Sequence, residues 1–215
     1  MSRAIDYYFS FQSPWAYIGN RPFHEIARRH GARIVYKPVL LGEVFAQTGG
    51  LPLAKRHPAR QEYRLVDLQR WRAKRGLSFR LWPQHWPFDA DLANCVALAI
   101  LAAGADPADF VDNAFCAVWE GERDLTDPGT LGALLREAGF DAEAMLASAR
   151  SDAIRATYER NRLEAIEAGV FGSPAYVLDG EVFWGQDRID LLDDALASGR
   201  APFTAKSGEA VRQQV

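Results

Sequence analysis

Apolar residues at Ile5, Tyr7, Phe9 and Phe11 recur at every second position, and this period predicts a strand with one face on a core. Ser13-Pro14-Trp15-Ala16 follows at once and reads as a helix start. Ser13 has the chemistry of an N-cap, and Pro14 suits the first helical position because its missing N–H costs nothing there. The helix is predicted to end at Gly31, with a kink or restart near Asn20 to Pro22, since an internal proline costs about 3 kcal/mol. Arg33 to Val39 then predicts a second strand, with Ile34 and Tyr36 opposite Val35. Strand, helix and strand at this spacing make a right-handed parallel βαβ unit.

Leu40 to Lys55 contains Thr48-Gly49-Gly50-Leu51-Pro52, keeps no sustained period and reads as a long loop. From Pro58 to Gly169 nearly everything is helical. The predicted stops are Gly76, Gly104, Gly121, Gly139 and Gly169, and the last helix begins at about Asp141 or Asp152. The pattern returns to sheet at Val170, where Ala175 to Leu178 and Glu181 to Trp184 flank Asp179-Gly180, a type I′ hairpin turn. Gly185-Gln186-Asp187 opens a closing helix through about Ala197, and a polar, frayed tail is expected from Gly199, Ala205 to Val215 included. This is the α/β order of a thioredoxin-like fold with a helical domain inserted between its βαβ and ββα halves. Residues 1–57 and 170–215 would form the thioredoxin-like domain, and 58–169 the insert.

The 215 residues, 48% hydrophobic and 25% charged, suffice for a well-packed core and fit no disordered or fibrous class. A formal net charge of −3 supplies no basic field for nucleic acid or anionic lipid. The densest basic run, Arg70 to Arg75, is expected to line a solvated face near a helix end. Residues 1 to 5 hold no apolar signal segment, and the longest apolar run, Val96 to Ala103, is too short to span a bilayer, so a soluble cytoplasmic protein is expected. Cys95 and Cys116 form no CxxC pair and read as reduced core residues. His24, His30, His57 and His85 lack the spacing of a zinc site, and no metal is expected.

Candidate chemistry gathers at two places that a thioredoxin-like sheet would bring together. Ser13 stands at the positive end of a helix among unpaired backbone N–H groups, a place that favours an anion, although it is equally read as a plain cap. Gly172-Ser173-Pro174 precedes the hairpin; Pro174 is either an ordinary trans proline at a strand start or a cis peptide that exposes the Ser173 backbone. Asp187 reads as a favourable first-turn acid.

Three stretches together resemble the 2-hydroxychromene-2-carboxylate isomerases and kappa-class glutathione transferases of the DsbA-like superfamily. They are Asp6 to Tyr17 around Ser13-Pro14-Trp15-Ala16, Val66-Asp67-Leu68-Gln69-Arg70-Trp71, and Val170 to Pro174 with Phe183 to Arg188. The resemblance implies that glutathione is the cofactor, that Ser13 replaces a nucleophilic cysteine and holds its thiol, and that Arg60 approaches its glycyl end. It further implies that the Ser173 backbone beside a cis Pro174 pairs with the cysteinyl amide. The helix-start amides at Gly185 to Arg188, that of Gln186 among them, would take the γ-glutamyl carboxylate, and Asp187 its ammonium. Ala16 stands where relatives often carry a second serine, and no asparagine occurs among Leu51-Pro52-Leu53 where one is implied. The implied activity is glutathione-dependent isomerisation of a small aromatic-derived substrate by a homodimer. A kappa-like transferase and a non-catalytic thiol-peptide binding module are the alternatives. Trp15, Tyr17, Trp82, Trp86 and Phe88 are candidate walls for a flat substrate.

Overall fold

The computed structural model describes residues 3–204. Strand β1 (Ala4–Phe9), helix α1 (Pro14–Arg29) and strand β2 (Arg33–Pro38) form the βαβ half. Next come α2 (Leu41–Thr48), a 3-10 turn (Leu53–Lys55), and then α3 (Pro58–Arg75), α4 (Asp91–Ala102), α5 (Ala108–Trp119), α6 (Pro128–Glu137), α7 (Ala142–Ala149) and α8 (Asp152–Glu167). The ββα half is β3 (Ala175–Leu178), β4 (Glu181–Trp184), a second 3-10 turn (Gln186–Arg188) and α9 (Ile189–Ser198). The sheet order is β2-β1-β3-β4, parallel between β1 and β2 and antiparallel elsewhere.

Register carries the alternation of β1 across the sheet. Tyr7 pairs with Tyr36 on one side and Tyr176 on the other, and its ring stacks on Tyr176 at 5.5 Å between centroids. Ile5, Tyr7, Phe9 and Phe11 are fully buried, and this face joins α1 and the insert in one core, where Phe11 meets Phe115 at 5.0 Å. Tyr8 points the other way, into a smaller cluster with Val44, Ala165, Val170 and Val177. The hairpin turn has positive φ at both Asp179 (52°) and Gly180 (85°), as a type I′ turn requires.

Three local expectations need correction, and a fourth is decided between its two readings. Leu41–Thr48 is helical rather than loop; it buries only Val44, so it carries little apolar pattern. Of the two starts expected for the last helix, Asp152 is the one found, capped by Ser151 through a bond from the Ile154 N–H, and Asp141 caps a separate short helix before it. Helix α1 runs unbroken through Pro22, its burial of Tyr17, Ile18, Phe23 and Ile26 outweighing one lost hydrogen bond. The basic run is not wholly solvated: Arg72 donates to the Phe79 carbonyl at 3.3 Å and Arg75 to Gln186 Oε1 at 3.0 Å. The tail expected over Ala205 to Val215 lies outside the described residues. Among the described residues, no helix is long and apolar enough to cross a membrane.

Candidate active site

The turn out of β1 places Ser13 at the N-cap of α1, where its backbone is extended (φ −91°, ψ 113°). Its Oγ accepts from the Ala16 N–H at 3.2 Å and donates to the Ser173 carbonyl at 2.9 Å. Ser173 Oγ in turn accepts from the Ser10 N–H at 3.1 Å. Two bonds therefore lock the first helix turn to the loop ahead of β3, and both serines are buried. The Ser173–Pro174 peptide is cis. Pro14 has no N–H, Ala16 and Tyr17 spend theirs on Ser13, and the Trp15 N–H has no acceptor among the described residues. One hydroxyl and one open amide thus stand together at a positive helix end.

These groups line a cavity of about 630 Å³, within the size range of small-molecule sites. Ser13, Ser173, Gln186 and Asp187 share its wall with Trp15, Trp82 and Trp86. Trp86 is fixed there by donating its indole N–H to the Gln12 carbonyl at 3.0 Å. Other candidates fall elsewhere. Tyr17 is in the core, bonded to Glu120 at 2.8 Å, and Phe88 is not on the cavity wall. Pro174 lies behind the wall, and Arg60 is exposed on α3 and does not line the cavity.

The 3-10 turn after β4 offers fewer amides than its sequence suggests. The Gly185 N–H donates to the Pro174 carbonyl at 2.9 Å and that of Arg188 to the Gly185 carbonyl at 3.1 Å, which leaves those of Gln186 and Asp187 without acceptors among the described residues. The Gln186 side chain faces inward to Arg75, whereas Asp187 Oδ2 takes a bond from Arg188 Nη1 at 2.6 Å. The turn packs closely on α1: a Cβ at Gly19 would lie 2.7 Å from Gln186 Cβ and 2.8 Å from the Tyr176 hydroxyl oxygen.

The cations on the cavity wall are Arg56, Arg64 and Arg188; Arg188 is paired with Asp187, and Arg56 and Arg64 are those that sequence reasoning missed. Arg64 is one helical turn before buried Leu68 on the same face of α3, and that spacing was the available signal. Burial, and then the neighbouring Arg56 charge, bring the Arg64 guanidinium down to about 10. The cysteines lie on α4 and α5, off the cavity wall, and burial pushes the Cys95 thiol up to about 11 and the Cys116 thiol up to about 12. Neither is a thiolate donor at neutral pH. Among the described residues, no group of three or more His, Cys, Asp or Glu side chains is arranged to hold a metal.

The fold is a thioredoxin-like sheet with a serine at the start of its first helix, facing a cis-proline loop. The family model of a DSBA-like thioredoxin domain matches residues 4–197. A 2-hydroxychromene-2-carboxylate isomerase of Sphingobium xenophagum is 32% identical over 198 residues, covering 91% of this chain and 99% of that protein. Another, of Pseudomonas putida, is 32% identical over 194 residues, covering 89% of this chain and 93% of its own. A solved structure of selenomethionine 2-hydroxychromene-2-carboxylate isomerase matches with a TM-score of 0.77 at 28% identity, over 91% of this chain and 95% of that one. The chain belongs to the DSBA-like thioredoxin-domain family and, within it, to the 2-hydroxychromene-2-carboxylate isomerases. It is an enzyme of the isomerase class.

Proposed function

We propose that the chain is a glutathione-dependent isomerase of the 2-hydroxychromene-2-carboxylate type that acts in aromatic-compound catabolism. The observation that carries this reading is the buried Ser13 hydroxyl on the cavity wall, which needs only to rotate from the Ser173 carbonyl to donate to a ligand. When bound, glutathione would supply a sulfur nucleophile that adds to a conjugated carbon of the substrate and leaves unchanged. The chain's own part is to hold that sulfur as an anion. Lowering a thiol pKa from about 8.5 by about two units needs about 2.7 kcal/mol of preference for the charged form. A hydrogen bond to a charged group gives about 1.5–3 kcal/mol and a helix N-terminus about 0.3–1 kcal/mol. Ser13 and the α1 start, with its open Trp15 amide, match that requirement without a protein base.

The remaining donors and acceptors fit a tripeptide. Rotation of Ser13 frees the Ser173 carbonyl for a backbone amide, as in an added strand. The open amides of Gln186 and Asp187 suit the γ-glutamyl carboxylate, and the Asp187 side chain suits its ammonium. Arg56, rather than exposed Arg60, is the basic residue of the cavity on the segment leading into α3, and is assigned the glycyl carboxylate.

The test is turnover of 2-hydroxychromene-2-carboxylate with and without glutathione. Isomerisation that requires glutathione and does not consume it supports the reading. Accumulation of a conjugate would make the chain a kappa-like transferase, and glutathione binding without turnover would make it a binding module.

A further inference from the structure

Arg64 is a charge without a counter-charge. Its side chain lines the cavity, the residue is only 8% exposed, and its side chain has no hydrogen-bond or ion-pair partner among the described residues. Its Nη1 is buried with no hydrogen-bond partner. The guanidinium instead rests over two indoles, 5.7 Å from the Trp82 ring centroid and 5.2 Å from that of Trp86. The cavity's acids do not balance it: Asp67 is 3.8 Å from Arg70, and Asp187 is bonded to Arg188. A guanidinium is always charged at neutral pH and has five donors to satisfy, so one held in a buried site with Nη1 unpartnered and no counter-charge is costly to the protein alone. Such a group is stabilised when an anion enters.

The second cation, Arg56, differs. Its Nε already donates to the Leu51 carbonyl at 2.7 Å, and its guanidinium carbon lies 5.9 Å from the Phe45 ring centroid. Arg56 and Arg64 are neighbours of like charge, and they differ in what already holds them: Arg56 has the Leu51 carbonyl and Arg64 has no acceptor. Glutathione has one carboxylate left for this side once its γ-glutamyl end is placed at Asp187. With that carboxylate assigned to Arg56, Arg64 is left for an anion of the substrate.

We infer that Arg64 is the specificity-determining residue for the substrate's carboxylate, holding it with the guanidinium fork while the flat ring lies against Trp82 and Trp86. Guanidinium geometry matches a carboxylate with two parallel N–H···O bonds, which a lysine ammonium does not reproduce. The assignment rests on the isomerase reading above only for the identity of the carboxylate's owner.

The experiment uses the full chain saturated with glutathione, as wild type, Arg64→Met and Arg64→Lys. Chromone-2-carboxylate, an unreactive flat acid, and its neutral carboxamide are titrated calorimetrically, and glutathione is titrated separately. Wild type is expected to prefer the acid by about tenfold or more, the range of one charged hydrogen bond. Arg64→Met should erase that preference while changing the glutathione Kd by less than about twofold, and Arg64→Lys should fall between. The melting temperature of Arg64→Met without ligands should match or exceed that of wild type, because an unpaired buried charge is removed. An acid preference that survives in Arg64→Met, or a loss confined to glutathione affinity, overturns the assignment. Turnover of 2-hydroxychromene-2-carboxylate by wild type separately tests the isomerase reading: turnover with an Arg64-independent preference sinks only the Arg64 role. An Arg64-dependent preference without turnover sinks only the reading.

Discussion

The Ser13 hydroxyl donates to the Ser173 carbonyl at 2.9 Å, tying the first turn of α1 to the loop ahead of β3. Under the proposed glutathione reading, the donor and the strand-like acceptor are each other's partner, so a tripeptide that pairs with Ser173 would release the hydroxyl it needs. Binding and activation of the sulfur would thereby be coupled through one proton. The coupling costs about one neutral hydrogen bond, near 1 kcal/mol, and gains a charged one of about 1.5–3 kcal/mol.

Ser13→Ala removes both this bond and the cap on Ala16. The expected stability loss is about 0.5–2 kcal/mol, the range for an N-cap. Turnover should fall further, by about 10- to 150-fold, which is a lost charged hydrogen bond of about 1.5–3 kcal/mol. Ultraviolet thiolate absorbance of the glutathione complex checks the cause: an unchanged signal in Ser13→Ala would remove Ser13 from the chemistry.

Acid should weaken the fold through His24. Burial lowers its pKa below the ordinary 6.5, against the opposing charges of Asp112, Asp106 and Asp109, and its Nε2 lies 3.1 Å from the Tyr36 hydroxyl. The folded pKa is the lower of the two, so the unfolded chain takes the proton first, and stability present above 6.5 is lost as pH falls below it. The loss from this one group has a slope of at most about 1.4 kcal/mol per pH unit and stops at the folded pKa. Urea unfolding at about pH 7.5 and about pH 5.5 should show a smaller drop for His24→Gln than for wild type. Equal drops would mean that His24 titrates alike in both states.

The sequence made the ends of the fold legible because their signals are local. Ser13-Pro14 forces a helix start whatever surrounds it, and Asp179-Gly180 forces a hairpin turn. The middle of the chain was less legible where tertiary packing decides. Helix α2 buries only Val44, and its Glu43 meets Arg162 of α8 at 3.0 Å, a partner more than a hundred residues away that leaves no local trace. The same holds for the cavity cations. Helix α3 carries arginines at 60, 64, 70, 72 and 75, with Arg56 just before it, and only the docking of Trp82 and Trp86 singles out Arg64 while Arg60, a turn earlier on the same face, is left in solvent. The cis peptide at Pro174 was one of two open readings because nothing within Gly172-Ser173-Pro174 distinguishes them.

Gly19 shows how backbone spacing serves the site. A methyl group there would sit 2.7 Å from Gln186 Cβ and 2.8 Å from the Tyr176 hydroxyl oxygen, below any real carbon contact. Gly19→Ala therefore has to push the Gln186 turn away from α1, since a Cβ next to the backbone has little freedom to yield. Overpacking of this kind costs about 1–3 kcal/mol. Denaturant unfolding should show that loss, and glutathione affinity should fall with it, because the displaced turn carries the open amides of Gln186 and Asp187. A variant of wild-type stability and affinity would show that α1 and the turn can separate freely.

The last expectation concerns Asp187, which lines the cavity and accepts from Arg188 at 2.6 Å. Both side chains are about half exposed, at 46% for Asp187 and 50% for Arg188, so the pair is screened and contributes about 0–1 kcal/mol to stability. The carboxylate is therefore available to a ligand ammonium without breaking a structural bond of consequence. Asp187→Asn keeps the shape and removes the charge. It should weaken glutathione binding by about 1–3 kcal/mol, the range for a charged hydrogen bond, and shift the melting temperature little. At saturating glutathione the turnover should be nearly that of wild type, because the γ-glutamyl group is remote from the reacting sulfur and its contacts are the same before and during the reaction. Calorimetric titration of the folded variant decides the matter. An unchanged dissociation constant would place the γ-glutamyl end elsewhere in the cavity, and a loss of turnover that saturation does not restore would give Asp187 a part in the chemistry.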